Sequence, residues 1–413
     1  MPETGKGLPR KTKFRLVLKY VYLWVLWEIM TSDEVQRLSK DQYSSKTLGL
    51  IVNPVAGILG KYAFKGSDNP KLVQKALEKG AKPISPERAK EALSILKPFR
   101  NVLRILTFPD IMGENVARES GFEPEVVGEI SSLKTTSEDT KKAAKIMAKR
   151  GASLILYAGG DGTTVDIFEA VDQEVPILGI PSGVKMWSAT FATNPKAAGL
   201  ITLRYLWGEL PIREAEVMDV DEEYFRRNEL HVELKGYAIT PYEPQYLQGS
   251  KWLSPNTTNE IEEQKAIARN VLESLEPNIV YIIGPGTTCK AVTDLLGLNK
   301  TLLGVDLVQD GRIIAKDANE QEILKTIENK KAKIIVTPIG RQGFIFGRGN
   351  QQISAEVIKK VGINNIIVLA TPYKLSTIPV LRVDTNSPEL DEKLKGYIRV
   401  ISGYHQITIK KIQ

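Results

Sequence analysis

The chain has 413 residues, 42% of them hydrophobic and 25% charged, with a formal net charge of +7. That length exceeds one ordinary core, the balance belongs to a soluble globular protein of two domains, and so mild a charge gives no support for nucleic acid as a partner. One cysteine, Cys289, excludes an internal disulfide framework and a cysteine-built metal site, and two histidines, His231 and His405, argue against a histidine zinc site or a serine–histidine triad.

Residues 1–46 stand apart as a basic, apolar extension. Lys6, Arg10, Lys11, Lys13, Arg15 and Lys19 against Glu3 lead into the apolar run Tyr20 to Trp27, far too short to span a bilayer. Three readings stay open: a Trp-bearing helix around residues 10–30 in contact with a membrane surface, a segment that docks on the body or a partner, or a true start at Met30. No small-residue cleavage site follows, so a secretory signal is not expected and a cytoplasmic location is.

From Thr47 strands and helices alternate. Leu48 to Val52 is a buried-type strand ending in the turn Asn53-Pro54-Val55-Ala56-Gly57-Ile58-Leu59-Gly60. Further strands are expected at Val102 to Thr107, Glu125 to Val127, Ser153 to Tyr157 and Pro176 to Ile180, with helices around Ala89 to Leu96 and Ser137 to Lys149, the second capped by Ser137. This pattern predicts an α/β fold, a parallel sheet covered on both faces over residues 47–212, with ligands beyond the carboxyl ends of its strands. From Arg213 the texture turns β-rich, with alternation in Glu214 to Val220 and Leu230 to Leu234. A helix over Asn259 to Leu275 then opens a second α/β run with strands at Ile279 to Ile283, Leu302 to Val308, Lys333 to Thr337 and Asn365 to Ala370, closed by Tyr397 to Ile401 and Tyr404 to Ile412. Residues 213–413 are thus expected to form a second domain, β-rich at its start and α/β afterwards.

The chemistry is concentrated in glycine turns at strand ends. Ala158-Gly159-Gly160-Asp161-Gly162-Thr163 follows an apolar strand and opens a helix. Paired glycines let backbone N–H groups approach a ligand, and the helix start favours phosphate. A carboxylate makes a poor phosphate ligand there, but it suits a base that takes a proton from an attacking hydroxyl or a group that holds a cation beside the phosphates. Phosphoryl transfer to an alcohol follows, with Asp161 as base and Gly159, Gly160, Gly162 and Thr163 around the phosphates. Asn53 and Gly57 belong to a turn that should lie beside it. Ser182, Gly183 and Lys185 form a third turn, in which Lys185 either neutralises phosphate or is simply solvated. Gly286, Thr287 and Thr288 form a fourth, offering hydroxyls to phosphate or to the helix start. Arg341 and Arg348 in the loop Gly340 to Asn350 either suit anion recognition or belong to a plain surface loop. His231 and Cys289 read as structural. No G-x-x-x-x-G-K-[ST] loop and no metal-ligand cluster is present, so a metal would be held largely by a nucleotide.

These segments resemble the NAD kinase and diacylglycerol/sphingoid-lipid kinase superfamily, whose hallmark is the Gly-Gly-Asp-Gly-Thr turn. The closer likeness is to archaeal and bacterial ATP-NAD kinase-like proteins that include the acetoin-catabolism protein X group. It is carried by Asn53 to Gly57, Gly179 to Met186, Phe191 to Pro195, Glu216 to Glu223, Gly284 to Thr288, Thr337 to Gly343, Gly347 to Gln352 and Leu381 to Thr385. The resemblance implies ATP or polyphosphate as donor, Mg²⁺, NAD as acceptor with Asp161 deprotonating the ribose 2′-hydroxyl, small-molecule nucleotides as the ligands, and a homo-oligomer. Typical NAD kinases carry an Asn-Leu-Gly segment where this chain has Ile180-Pro181-Ser182-Gly183, and an Asn-Glu or Asn-Asp pair for which Asn228-Glu229 stands at a plausible distance. The alternatives are a kinase for a lipid or other alcohol, and a nucleotide-binding regulator without catalysis.

Overall fold

A computed structural model describes residues 46–413 apart from 63–69, 79, 131–134, 184–185, 221–223, 225–230, 244–245, 249–257 and 340–341. Residues 47–413 form one compact unit. The first sheet contains β1 (Lys46–Val52), β2 (Leu103–Thr107), β3 (Glu125–Val126), β4 (Leu154–Gly159) and β5 (Ile177–Pro181), in the order β3-β2-β1-β4-β5. The pairs β1–β4, β4–β5 and β2–β3 run parallel. Unbroken apolar runs build it because both faces are covered. Successive side chains of β1 go to opposite faces. Leu48, Leu50 and Val52 pack with the helices α1 (Ser85–Leu96) and α4 (Pro195–Leu206), whereas Ile51 packs with α2 (Ser137–Lys149) and α3 (Asp161–Val171). Leu48, Leu50, Leu154 and Leu156 have no exposed surface, and each contributes roughly 1.5–3 kcal/mol by burial. Helices α1 and α4 approach so closely that a Cβ at Gly199 would lie 2.3 Å from the Ala92 carbonyl.

An antiparallel hairpin follows, β6 (Ile212–Val220) with β7 (Val232–Pro241). It lies against α3: a Cβ at Gly236 would sit 2.5 Å from the Phe168 ring. After α5 (Thr258–Glu273) comes a second sheet built from β8 (Val280–Ile283), β9 (Asp306–Gln309), β10 (Arg312–Ala315), β11 (Ala332–Val336), β13 (Ile366–Leu369), β15 (Gly396–Gly403) and β16 (Gln406–Ile412); the short pair β12 (Phe344–Phe346) and β14 (Arg382–Val383) stands outside it. Its order is β10-β9-β8-β11-β13-β15-β16, with β8, β11, β13 and β15 parallel and both edges antiparallel. One face packs on α5 and α6 (Thr287–Leu295), the other on α7 (Glu320–Thr326) and α8 (Ala355–Val361). The architecture is therefore a parallel α/β sheet followed by a mixed, β-rich one.

Two local expectations are corrected. Helix α2 is capped by Thr136, one residue early, because Thr136 and not Ser137 closes a capping box with Asp139. Strand β9 begins at Asp306 instead of Leu302: the Asp306 carboxylate binds the Thr301 amide and hydroxyl and the Asp317 amide, folding the preceding residues into a loop. Among the described residues no helix is long and apolar enough to cross a membrane. All three readings of the amino-terminal extension fall on residues 1–45, outside the described residues.

Candidate functional site

In the first sheet the chain leaves β1 for β2 on one side and later returns to β4 on the other. The turns at the carboxyl ends of β1 and β4 therefore diverge around a crevice, the usual ligand position in such sheets. Asn53, directly after β1, donates through Nδ2 to the Thr163 hydroxyl at 2.9 Å. Its own backbone is tied by its amide to the Ala158 carbonyl (2.9 Å) and by its carbonyl to the Ser85 hydroxyl (2.6 Å). Gly57 has φ +76°, and a Cβ there would lie 2.1 Å from the Ser182 carbonyl oxygen. The Ser182 and Gly183 amides donate to the Gly159 carbonyl at 3.0 and 2.9 Å. Asn53, Gly57, Gly159, Thr163, Ser182 and Gly183 are thus brought together; the meeting of the first two turns is what their places at strand ends anticipated.

Gly160 caps α3 without a side chain, leaving the first amides and the positive end of an eleven-residue helix open to an anion. Gly162 is exposed, and a Cβ built on it meets nothing within 4 Å. Under the turn, the Tyr157 hydroxyl bonds those of Thr164 (2.6 Å) and Thr190 (2.8 Å), and burial pushes this phenol above its ordinary range.

Asp161 is the first residue of α3 and is only 4% exposed. Its carboxylate accepts from the Trp187 amide (2.9 and 2.8 Å), the Ser188 amide (2.9 Å) and the Ser188 hydroxyl (2.8 Å). The segment supplying these donors is itself held. Ala189 donates to the Glu216 carbonyl of β6, and the Gly179 amide of β5 donates to the Thr190 carbonyl. Met186 is gripped from afar: its carbonyl accepts from Gln342 Nε2 at 3.0 Å, and its sulfur lies 2.6 Å from Arg348.

Arg348 corrects one expectation. It is 3% exposed and not an open anion receptor, because its guanidinium pairs with Asp384 (3.1 Å), donates to the Thr193 carbonyl (3.0 Å) and lies over the Phe344 ring. Arg88 of α1 meets the same Asp384 carboxylate at 2.6 Å. Desolvation pushes Arg348 down to about 10, opposed by the charge of Asp384. Beside this ionic cluster a cleft of about 920 Å³ opens, lined by Lys82, Thr193, Lys196, Asn386 and Lys395 among others. Its lining mixes these cations with the carboxylates Glu87, Asp391 and Glu392.

Gly286, Thr287 and Thr288 lie elsewhere, at the carboxyl edge of the second sheet. No hydrogen bond among the described residues joins them to the Asn53–Thr163 group. The Thr287 hydroxyl accepts from Gln264, and Thr288 and Thr337 both accept from Lys374 Nζ at 3.3 Å. Lys374, Trp187 and Ser188 were missed in the sequence because no glycine turn marks them; the one signal for Lys374 is the strand-end Ala370-Thr371-Pro372. Cys289 is fully buried and its thiol is pushed up to about 11 by desolvation, in keeping with a structural part. Lys185, Arg341 and the pair Asn228-Glu229 lie outside the described residues. Among the described residues no group of three His, Cys, Asp or Glu side chains is placed to hold a metal ion.

Comparison with known families gives two matches: the ATP-NAD kinase N-terminal domain over residues 48–209 and the ATP-NAD kinase C-terminal domain over residues 276–412. No curated protein matches the chain.

Proposed function

This chain belongs to the ATP-NAD kinase-like family, a kinase-type family, and from that premise we propose that it transfers a phosphoryl group from ATP or polyphosphate to the 2′-hydroxyl of NAD, forming NADP. The observation that carries the reading is the crevice where Asn53 and Thr163 join across the switch point, with Gly57, Gly159, Gly160, Gly162, Ser182 and Gly183 around the start of α3. Backbone amides there would receive the donor phosphates, and Lys185 would add positive charge. Mg²⁺ carried by the nucleotide would offset phosphate charge. Asp161 would take the proton from the acceptor hydroxyl. Its described partners, the Trp187 and Ser188 amides and the Ser188 hydroxyl, all donate to it. A cytoplasmic location and a homo-oligomer belong to the same reading. The latter is supported by exposed apolar side chains on the last hairpin, Tyr397, Ile407 and Ile409.

One observation favours a second reading, nucleotide binding without turnover: the Asp161 carboxylate is buried and accepts from three donors of the protein. A single experiment separates the two. Purified full-length protein is incubated with ATP, Mg²⁺ and NAD, and NADP is measured for wild type and Asp161→Asn. NADP formed by the wild type and reduced about 10²–10⁴-fold in the variant supports the base. ADP released only with a lipid or other alcohol moves the acceptor. Nucleotide binding with no product across acceptors sinks the kinase reading.

A further inference from the structure

The second sheet repeats the topological device of the first. From β8 the chain passes to β9 on one side and, after β10 and α7, to β11 on the other, so the carboxyl ends of β8 and β11 diverge around their own crevice. Gly286 opens α6 there with φ +109° and no side-chain cap. The first amides of this nine-residue helix therefore have no carbonyl of the preceding turn to bind. Thr287 is exposed at the mouth and Thr288 buried behind it.

The independent observation is Lys374. Its side chain comes from α9 (Pro372–Thr377), two strands away, and is only 6% exposed. Its ammonium reaches the hydroxyls of Thr288 and Thr337, both at 3.3 Å, and makes no ion pair among the described residues. Buried cations are ordinarily paired. The nearby Glu260 carboxylate instead accepts from Thr371 (2.9 Å) and Gln264 (3.4 Å). The Cys289 thiol stays protonated well above neutral pH and supplies no counter-charge. Two hydroxyls, a row of uncapped helical amides and a buried ammonium that feels the charge of Glu260 but forms no ion pair with it thus meet at one place.

We propose that Gly286, Thr287, Thr288, Thr337 and Lys374 form a phosphate-binding site, in which the α6 amides and threonine hydroxyls receive a phosphoryl group of a small phosphorylated ligand and Lys374 supplies its counter-charge. The proposal rests on the reading of Gly286 to Thr288 as nucleotide contacts, but not on chemistry at Asp161. Burial lowers the Lys374 pKa, and a bound anion reverses that penalty.

Hydrogen exchange of the full-length protein, followed by peptide, tests it in inorganic phosphate against chloride of equal ionic strength. Peptides spanning 284–290 should exchange about threefold slower or less in phosphate. In Lys374→Met the phosphate needed for that protection should rise about tenfold or more. Replacing a buried unpaired charge by an apolar chain of similar length should leave the fold intact; should it not, Thr337→Val provides the second variant, with the same expectation. Absence of protection at 284–290 in the wild type, or protection unchanged in the variants, overturns the site. Peptides spanning 158–165 report separately on the first turn. Absence of product with NAD and every other acceptor, with Lys374-dependent protection intact, removes the kinase reading and leaves this one standing.

Discussion

One oxygen of Asp161, Oδ1, accepts both the amide (2.9 Å) and the hydroxyl (2.8 Å) of Ser188. The same hydroxyl accepts from the Met218 amide at 3.0 Å. Ser188 therefore links the start of α3 to the hairpin strand β6, and the carboxylate that the sequence marks for chemistry also fastens the fold. Ser188→Ala strands the buried Met218 amide, so its unfolding free energy in urea should fall by about 1–3 kcal/mol. Asp161 keeps its amide donors in this variant. NADP formation should accordingly fall far less than in Asp161→Asn; an equal loss in both would make Asp161 a structural bolt.

Gly57 and Gly162 should respond oppositely to alanine. Gly57→Ala places a Cβ 2.1 Å from the Ser182 carbonyl at φ +76°, a left-handed position that alone costs roughly 1–2 kcal/mol. The melting temperature should drop and the soluble yield with it. Gly162→Ala meets nothing within 4 Å in a helical first turn, and alanine favours helix by about 1 kcal/mol. That variant should melt at or above the wild-type temperature yet bind ATP more weakly in calorimetry, because the added methyl projects where phosphate would sit.

Asp384 balances two buried arginines, Arg88 and Arg348. Asp384→Asn leaves both uncompensated, and breaking a buried pair in this way costs about 3–5 kcal/mol. Chemical denaturation should show that loss. A double replacement of Asp384 by Asn and Arg348 by Met should recover part of it.

Cys289 has no exposed surface and its thiol is pushed from 9.0 up to about 11. Below pH 9 it is protonated folded and unfolded. Between pH 9 and about 11 only the unfolded chain loses this proton, so the thiol's contribution to stability falls as pH rises through that window. In urea titrations, wild type should lose stability relative to Cys289→Val as pH rises over this range. At pH 8 a thiol reagent should modify Cys289 only as fast as the chain opens.

How far the sequence carried is visible in individual residues. Val52 and Asn53, or Gly159 and Thr163, are an apolar strand end and a turn side by side in the chain, so local pattern and the rule for parallel sheets together place Asn53 beside Thr163. Trp187 and Ser188 act mainly through backbone amides, which carry no side-chain signature. Arg348 looked open to anions because a glycine-rich polar loop is normally solvated; the carboxylate that buries it, Asp384, lies far along the chain. Lys374 was invisible for a like reason, since its partners Thr288 and Thr337 come from separate strand ends.

The Arg88–Asp384 contact spans 296 residues. During synthesis at roughly 5–20 residues per second, about 15–60 s separate the two side chains' emergence from the ribosome. Throughout that interval Arg88, which is buried in the folded chain, lacks the carboxylate that compensates its charge. Even a chain that ended just before Asp384 would leave Arg88 and Arg348 without the carboxylate they share, so a late truncation already costs the fold its buried ion pairs.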